Sequence, residues 1–448
     1  MTISLVSSIG LPLSCMVLAL IATLFDNHLW CLICLFVQSR LFGMMSAIYD
    51  TDSIEKSNSI VIGFIYFVNA LLYLLTAFAI WYRPHISNLR QRPKRGCIFV
   101  SGCDSGMGKA TVIQLAQSNV LHKNSNSVQR GKVMLQSKTA GSQYEQIFAG
   151  CFDPKVARQQ FADELTEEEF KFITVVELDV TDSDNVNEAA RTVREWIYNH
   201  NKNKNHKFGL TGLIQYHGVA FNGPSSYMPI DMYRRQMDVN FLGTIRIVQA
   251  LLPLLKESIK DRKDLGGGGD TYRGRIVLTG TGGGCCSPCP PLLTAYMSSK
   301  FAVEAYAQSL RQELYMTSIP IDLSVINPGF VKPTMLIEVG TKISSSMWKA
   351  CEEKLGSTQA KDEYGNMLDH FTKYSALQPG THVSKVVEAA TEHALLSQIP
   401  RSSYKVGIDS KLAPIVGMMP TGVREFITRH GIYGKLSPAG TVTGYKVN

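Results

Sequence analysis

The chain has 448 residues, 45% hydrophobic and 18% charged, with 45 Lys and Arg against 37 Asp and Glu and a formal charge of +8. This length leaves room for more than one module. The positive excess is thinly spread and accompanies no base-reading motif, so an anionic membrane surface is the expected partner and nucleic acid is not. The ten cysteines carry no disulfide-scaffold signal and read by default as thiols of a reducing compartment.

Residues 3–25 and 60–82 are two runs of 23 residues without a charge, each long enough to cross about 30 Å of hydrocarbon. Between them, residues 29–39 are apolar up to Arg40; they form either a third span or an interfacial segment. A cleaved signal peptide is the competing reading of the first run, but no basic residue precedes it. Residues 1–82 are therefore expected to be a membrane anchor of two or three spans. Arg83, Arg90, Arg92, Lys94 and Arg95 then make residues 83–95 a basic linker without an acid. Positive charge flanking a span favours the cytoplasmic side. The first 39 residues hold neither Lys nor Arg, unlike a mitochondrial address. A multi-pass protein of the endoplasmic reticulum, with its larger domain in the cytosol, is expected.

Residues 96–330 alternate strand-like and helical runs. Residues 95–102 read as a short buried strand leading into Gly102-Cys-Asp-Ser-Gly106-Met-Gly108 and a helical run over 109–116. Glycines at this spacing between strand and helix let a backbone approach a pyrophosphate, whose charge the helix N-terminus favours. The alternative is a tight strand-to-helix turn without a ligand. Residues 122–144 are a polar insertion. Strands are predicted at 146–151, 172–180, 210–215, 275–279 and 321–326, with helices at 184–199 and 232–255 between them. Residues 256–272, with four consecutive glycines, read as a second solvated insertion. This alternation predicts an α/β fold with a doubly wound parallel sheet, its ligands outside the carboxyl ends of the strands.

Tyr296 and Lys300 lie four positions apart in a run whose Val303, Ala307, Leu310 and Leu314 have helical spacing. They therefore share one helix face. A phenol has a reference pKa of about 10; an ammonium beside it favours the phenolate and brings its proton into working range. Upstream, Cys285, Cys286 and Cys289 crowd one loop. No fourth Cys or His follows, so a metal is not expected, and a reactive or lipidated cysteine is the alternative to an incidental one. Residues 331–448 form the last region. Its apolar, proline-broken stretch 412–420 either packs on the core or dips into a membrane.

The motifs Gly102-X3-Gly106-X-Gly108, Leu178-Asp179-Val180, Asp238-Val-Asn240-Phe-Leu-Gly243, Tyr296-X3-Lys300 and Pro328-Gly329 occur in the order of the short-chain dehydrogenases/reductases. Over about residues 96–430 the chain resembles that family. In Phe148-Ala-Gly-Cys151, Ser299-Lys-Phe-Ala-Val-Glu304, Asp362-Glu-Tyr-Gly365 and His393-Ala-Leu-Leu396 it is similar to the membrane-associated branch of retinol, 17β-hydroxysteroid and 3-hydroxybutyrate dehydrogenases. The resemblance implies a Rossmann domain that transfers hydride between NAD or NADP and a lipophilic alcohol or ketone. It implies that Tyr296 is the acid or base, that Lys300 holds the nicotinamide ribose and lowers the Tyr296 pKa, and that Asn240 anchors a water. Gly102, Ser105, Gly106, Met107 and Gly108 would line the pyrophosphate, Asp179 and Val180 the adenine, and Pro328, Gly329 and Val331 the nicotinamide. Gly218 would also border the cofactor. A helical lid over 334–379 and a homodimer on the Tyr296 helix are further implications.

Two departures stand out. The family's serine, which bonds the substrate oxygen, falls by counting on Thr281, with Thr279 and Ser287 as weaker candidates, and the link to Tyr296 is two residues longer than usual. The family's Asn-Asn-Ala-Gly is here Gln215-Tyr-His-Gly218, which places large residues where small ones flank the cofactor. Asp153 lies near the end of the second strand, and no basic residue appears between that end and Lys155, which favours NAD over NADP. A catalytically silent nucleotide- or lipid-binding relative and a 3-hydroxy acid dehydrogenase are the alternative functions.

Overall fold

The computed structural model describes residues 96–124, 144–202, 208–263, 273–332, 348–354, 356–358, 380–397 and 399–428. The expected anchor and basic linker lie outside the described residues, as do most of both polar insertions and most of the expected lid.

Short apolar runs form the strands β1 (Gly96–Ser101), β2 (Tyr144–Cys151), β3 (Ile173–Glu177), β4 (Leu210–Gln215), β5 (Gly274–Thr279), β6 (Ile321–Pro328), β7 (Val331–Lys332), β8 (Thr381–His382) and β9 (Ser403–Val406). Seven of them make one sheet in the order β3-β2-β1-β4-β5-β6-β9, and β7 pairs with β8. Every pairing is parallel. Such strands must be covered on both faces, and β1, β4 and β5 are buried at every residue.

The covering helices are α1 (Gly106–Asn124), α2 (Pro154–Glu164), α3 (Glu167–Phe170), α4 (Ser183–Asn201), α5 (Ile230–Met237), α6 (Gly243–Lys263), α7 (Thr294–Met316), α8 (Val383–Glu388), α9 (Ile408–Gly417) and α10 (Thr421–Ile427). Side chains alternate across each strand, which divides the core in two. Ile98, Val100 and Ile214 join Val112 and Leu115 of α1 and Val386 of α8 on one face. Cys97, Phe99 and Leu213 join Val193 of α4, Ile247 and Leu251 of α6 and Val303 of α7 on the other. Between β5 and β6, the buried Arg275 is ion-paired to Asp322 and donates to the Ser397 carbonyl (2.8 Å), while Arg273 Nε bridges both Asp322 oxygens at 2.9 Å. Removing one partner would strand a buried charge.

The predicted helix over 232–255 is α5 and α6 joined by a π turn at Asp238–Leu242, spanning residues 230–263. Part of this unit, 230–259, is among the described residues the one helix long and apolar enough to cross a membrane. Here it covers the sheet instead, with Ile247, Val248, Leu251 and Leu255 almost fully buried. Stretch 412–420 falls largely within α9, which carries Pro414 inside it. The strand β9 has no counterpart among the predicted elements. The strand order reverses between β1 and β4, which opens a crevice outside their carboxyl ends.

Candidate active site

At the end of β1 the chain turns through Gly102, at φ 71°, to Gly106, at φ 55°, the first residue of α1. A side chain at Gly102 would meet the His217 backbone nitrogen at 2.6 Å, and one at Gly108 would strike the Gly102 carbonyl. Glycine is therefore dictated by backbone conformation at two positions and by close packing at the third. No acidic residue lies in the first turn of α1, so its N-terminal N–H groups and dipole can receive an anion. The cradle fits a pyrophosphate. Ser105 precedes the first residue of α1 and Met107 follows it, both between Gly102 and Gly108.

Sequence reading missed the work of Asp104. Its two carboxylate oxygens accept from the amides of Phe152 and Asp153, each at 3.0 Å, which ties the glycine turn to the end of β2. Asp153 in turn caps α2, accepting from Lys155 and Val156 at 3.1 Å. Asp179, just past β3, accepts from the amide and hydroxyl of Thr181 at 2.9 and 2.7 Å. Val180 beside it is buried.

The α7 helix brings Tyr296 and Lys300 to the end of β5. Burial pushes the Tyr296 phenol up from its ordinary value, and a hydrogen bond from Thr281 pulls it back. Thr281, 8% exposed, is the hydroxyl whose effect reaches the phenol. Thr279 faces away: its hydroxyl donates to the Gln215 carbonyl at 2.6 Å. Ser287 spends its hydroxyl on the Pro288 carbonyl at 3.1 Å. Lys300 is buried and donates to the Thr279 carbonyl at 3.0 Å, and its desolvation lowers its pKa to about 8. The phenol is raised here, so the lowering expected from Lys300 is not seen; the counterweight to burial is Thr281. The Lys300 charge is felt instead at His217.

Asn240 sits in the π turn, a distortion that often marks functional positions. Its side chain accepts from the Val219 amide at 2.8 Å and donates to the Val219 carbonyl and to Ser299 Oγ, both at 2.9 Å. Ser299 Oγ donates to the Tyr296 carbonyl at 2.7 Å. Asn240 thus clamps the loop after β4 to the first turn of α7. Gly218 completes the enclosure, since a side chain there would come 3.5 Å from Lys300 Nζ.

The enlarged residues of Gln215-Tyr-His-Gly218 turn inward. Tyr216 is buried beneath α1, where Thr111 Oγ1 donates to its hydroxyl at 3.2 Å. His217 sets Nδ1 2.8 Å from Ser101 Oγ and Nε2 3.3 Å from Thr244 Oγ1. Thr244 spends its proton on the Asn240 carbonyl at 2.8 Å, so Nε2 carries the imidazole proton and Nδ1 accepts from Ser101. Burial, with the Lys300 charge adding to it, lowers the His217 pKa to about 3. An unfolded histidine protonates near pH 6.5, whereas the folded one resists until about pH 3. The contribution of neutral His217 is therefore whole above pH 6.5 and is lost as pH falls from 6.5 toward 3. The loss is at most about 1.4 kcal/mol per pH unit. The urea midpoint is expected to fall more steeply over this window in wild type than in His217→Gln; parallel curves would show that His217 does not govern acid stability.

On the far side, β6 ends at Pro328, and a side chain on Gly329 would strike the Asp409 carboxylate, which accepts the Phe330 amide at 2.7 Å. Val331 is buried in β7. Among the described residues no cluster of three His, Cys, Asp or Glu is placed to hold a metal.

Residues 145–344 match the family "short chain dehydrogenase". The chain is 28% identical to mouse short-chain dehydrogenase/reductase family 9C member 7, over 79% of this chain and 95% of that protein. It is 29% identical to mouse retinol dehydrogenase 5, over 70% and 81% of the two chains. With a 3beta-hydroxysteroid dehydrogenase of Caenorhabditis elegans it shares 28% identity over 77% of each chain. Among solved structures it is similar to a short-chain dehydrogenase/reductase of Burkholderia phymatum in complex with NAD, at 17% identity and TM-score 0.48, covering 72% of this chain and 92% of that one.

Proposed function

Because the chain belongs to the short-chain dehydrogenase/reductase family, we propose that it transfers hydride between NAD and a lipophilic alcohol or ketone, a steroid, a retinoid or a related lipid. The observation that carries this reading is Tyr296 one helical turn from the buried Lys300 at the end of β5, with the Thr281 hydroxyl holding the phenol down against burial.

The nicotinamide, when bound, supplies or accepts the hydride. The turn from Gly102 to Gly108, including Ser105, Gly106 and Met107, would hold its pyrophosphate, Asp179 and Val180 its adenine, and Lys300 its ribose. Pro328, Gly329 and Val331 would border the reactive ring. The remaining chemistry belongs to the chain. Tyr296 gives its proton to a carbonyl oxygen in reduction, or takes the alcohol proton in oxidation. Thr281 offers a second hydroxyl to the same oxygen. Asn240, through Ser299, fixes the turn that carries Tyr296. The donor that the silent alternative presumes lost has a hydroxyl standing in for it, which weighs for catalysis.

Support for NAD comes from the end of β2, where the Asp104 and Asp153 carboxylates gather. An acid there suits a free ribose hydroxyl and repels a 2′-phosphate. Support for a lipophilic substrate comes from the named relatives and from the C-terminal helices, where Ile408 is 71% exposed on α9 and Phe426 60% exposed on α10. Together with the charge-free runs near the N-terminus, these favour a multi-pass protein at the endoplasmic reticulum that draws substrate from the bilayer.

The test is a screen of retinol, steroids and 3-hydroxybutyrate with the purified full-length protein, following NADH fluorescence. Turnover of a steroid or retinoid, at least about tenfold better with NAD than with NADP, is the expected result. Turnover of 3-hydroxybutyrate alone would replace the substrate class, and none with any of them would favour the silent alternative.

A further inference from the structure

The loop between Thr281 and α7 carries chemistry that the hydride reaction does not use. Gly283 and Gly284 adopt φ of 83° and 64°, and a 3₁₀ turn over Gly284–Cys286 follows them. This turn places Cys285 Sγ 3.9 Å from Cys286 Sγ, with Cys285 exposed and Cys286 half-buried. Gln308 of α7 donates to Cys285 Sγ at 3.6 Å. Lys405 of β9 and Glu304 of α7 supply the charges that Cys286 feels, with opposite effects.

The loop is also tied to the site. The Gly284 amide donates to the Thr281 carbonyl at 2.8 Å, and the Gly283 amide to Ser410 Oγ of α9 at 3.2 Å. A side chain on Gly417 of α9 would strike the Cys286 carbonyl. The turn therefore cannot shift without moving either α9 or the residue that meets Tyr296.

We propose that Cys285 and Cys286 are a thiol modification site for hydroperoxides, in which Cys286 attacks, Cys285 resolves, and closure of the pair slows turnover at Tyr296. The hydrogen bond shared with Cys285 lowers the Cys286 thiol, with Lys405 helping and burial and Glu304 opposing. Lys405 acts on Cys286 and not on Cys285, whose thiol the shared bond, burial and Glu304 push up, and this charge assigns the roles. Burial also raises the third thiol of the loop, Cys289. An accessible thiolate beside a resolving thiol is the arrangement of redox-sensing cysteines.

The Cys286 thiolate attacks the peroxide oxygen. A sulfur–oxygen bond forms, the O–O bond breaks, and the departing oxide takes a proton to leave as an alcohol, or as water from hydrogen peroxide. Cys285 then gives up its proton and attacks the sulfur of the Cys286 sulfenic acid, forming the disulfide and releasing water. The two thiols lose two electrons and two protons, which the peroxide accepts. Consecutive Cα atoms lie about 3.8 Å apart, below the about 4.4–6.8 Å usual for bridged cysteines, so a thiol reductant should reopen the bond readily.

The test uses reduced, full-length protein treated with one equivalent of hydrogen peroxide and digested with trypsin. The peptide of residues 276–300, which contains all three thiols, is expected to lose the mass of two hydrogens and to regain it with dithiothreitol. Cys286→Ser should abolish the loss and slow iodoacetamide labelling of the loop at pH 7 by about tenfold. Cys285→Ser should leave a sulfenic acid on Cys286 that dimedone traps. Wild-type behaviour of Cys286→Ser, or disappearance of the bridge in Cys289→Ser alone, overturns the assignment. These mass readouts do not depend on the oxidoreductase reading. Where turnover is measurable, peroxide should lower it reversibly in wild type and not in Cys286→Ser; unchanged turnover of the bridged protein would remove the link to the site.

Discussion

Tyr296→Phe is expected to lower turnover by about 10²–10⁴, the range for loss of a positioned acid or base, with dinucleotide binding retained. The substitution deletes one hydroxyl and keeps the ring that fills its place on α7. The hydrogen bond that holds this turn runs from Ser299 to the Tyr296 backbone carbonyl, which phenylalanine preserves, so the helix has no reason to move. Calorimetric titration with NADH should give a similar Kd for both proteins, and the best alcohol from the screen should turn over only in wild type. Equal turnover would take Tyr296 out of the chemistry, and joint loss of turnover and binding would make its role structural. The raised phenol adds a pH signature. A group that holds its proton through neutral pH is ready as an acid, so carbonyl reduction should persist there. Alcohol oxidation, which needs the phenolate, should climb as pH rises.

How far the sequence could anticipate this arrangement depended on how local each cause is. The strands from β1 to β6 were legible because parallel strands buried on both faces must be apolar throughout. The strand β9 was not: Ser403-Tyr-Lys-Val406 alternates in burial at the sheet edge and gains its identity only by pairing with β6. The helix of Tyr296 and Lys300 followed from spacing. The electrostatics did not, because the group that opposes burial at the Tyr296 phenol is Thr281, two residues past β5, rather than Lys300 one turn along α7. Large residues at Tyr216 and His217 were visible, but their inward direction depends on Thr111, Ser101 and Thr244, all remote in sequence. Asp104 lay inside the glycine motif in plain view, yet its role as an acceptor exists only where the end of β2 lies beside β1. The π turn at Asn240 has no residue signature that separates it from an ordinary helix.

Thr281→Val should separate the hydroxyl from the shape of its side chain. Valine keeps the branched outline and removes the donor. Loss of one positioned donor to a reacting oxygen costs about 10²–10³ in kcat. Thr281→Ser keeps the donor and removes the methyl, which relaxes the restriction on χ1, so kcat should stay within about threefold of wild type or rise. Thr279→Val provides the contrast. Thr279 donates to the Gln215 carbonyl inside the sheet, so its loss leaves a buried acceptor unsatisfied, at about 1–3 kcal/mol of stability. Its cost should appear in the denaturant midpoint more than in kcat. Should Thr279→Val instead abolish turnover while Thr281→Val leaves it unchanged, the working hydroxyl lies two residues earlier, at Thr279.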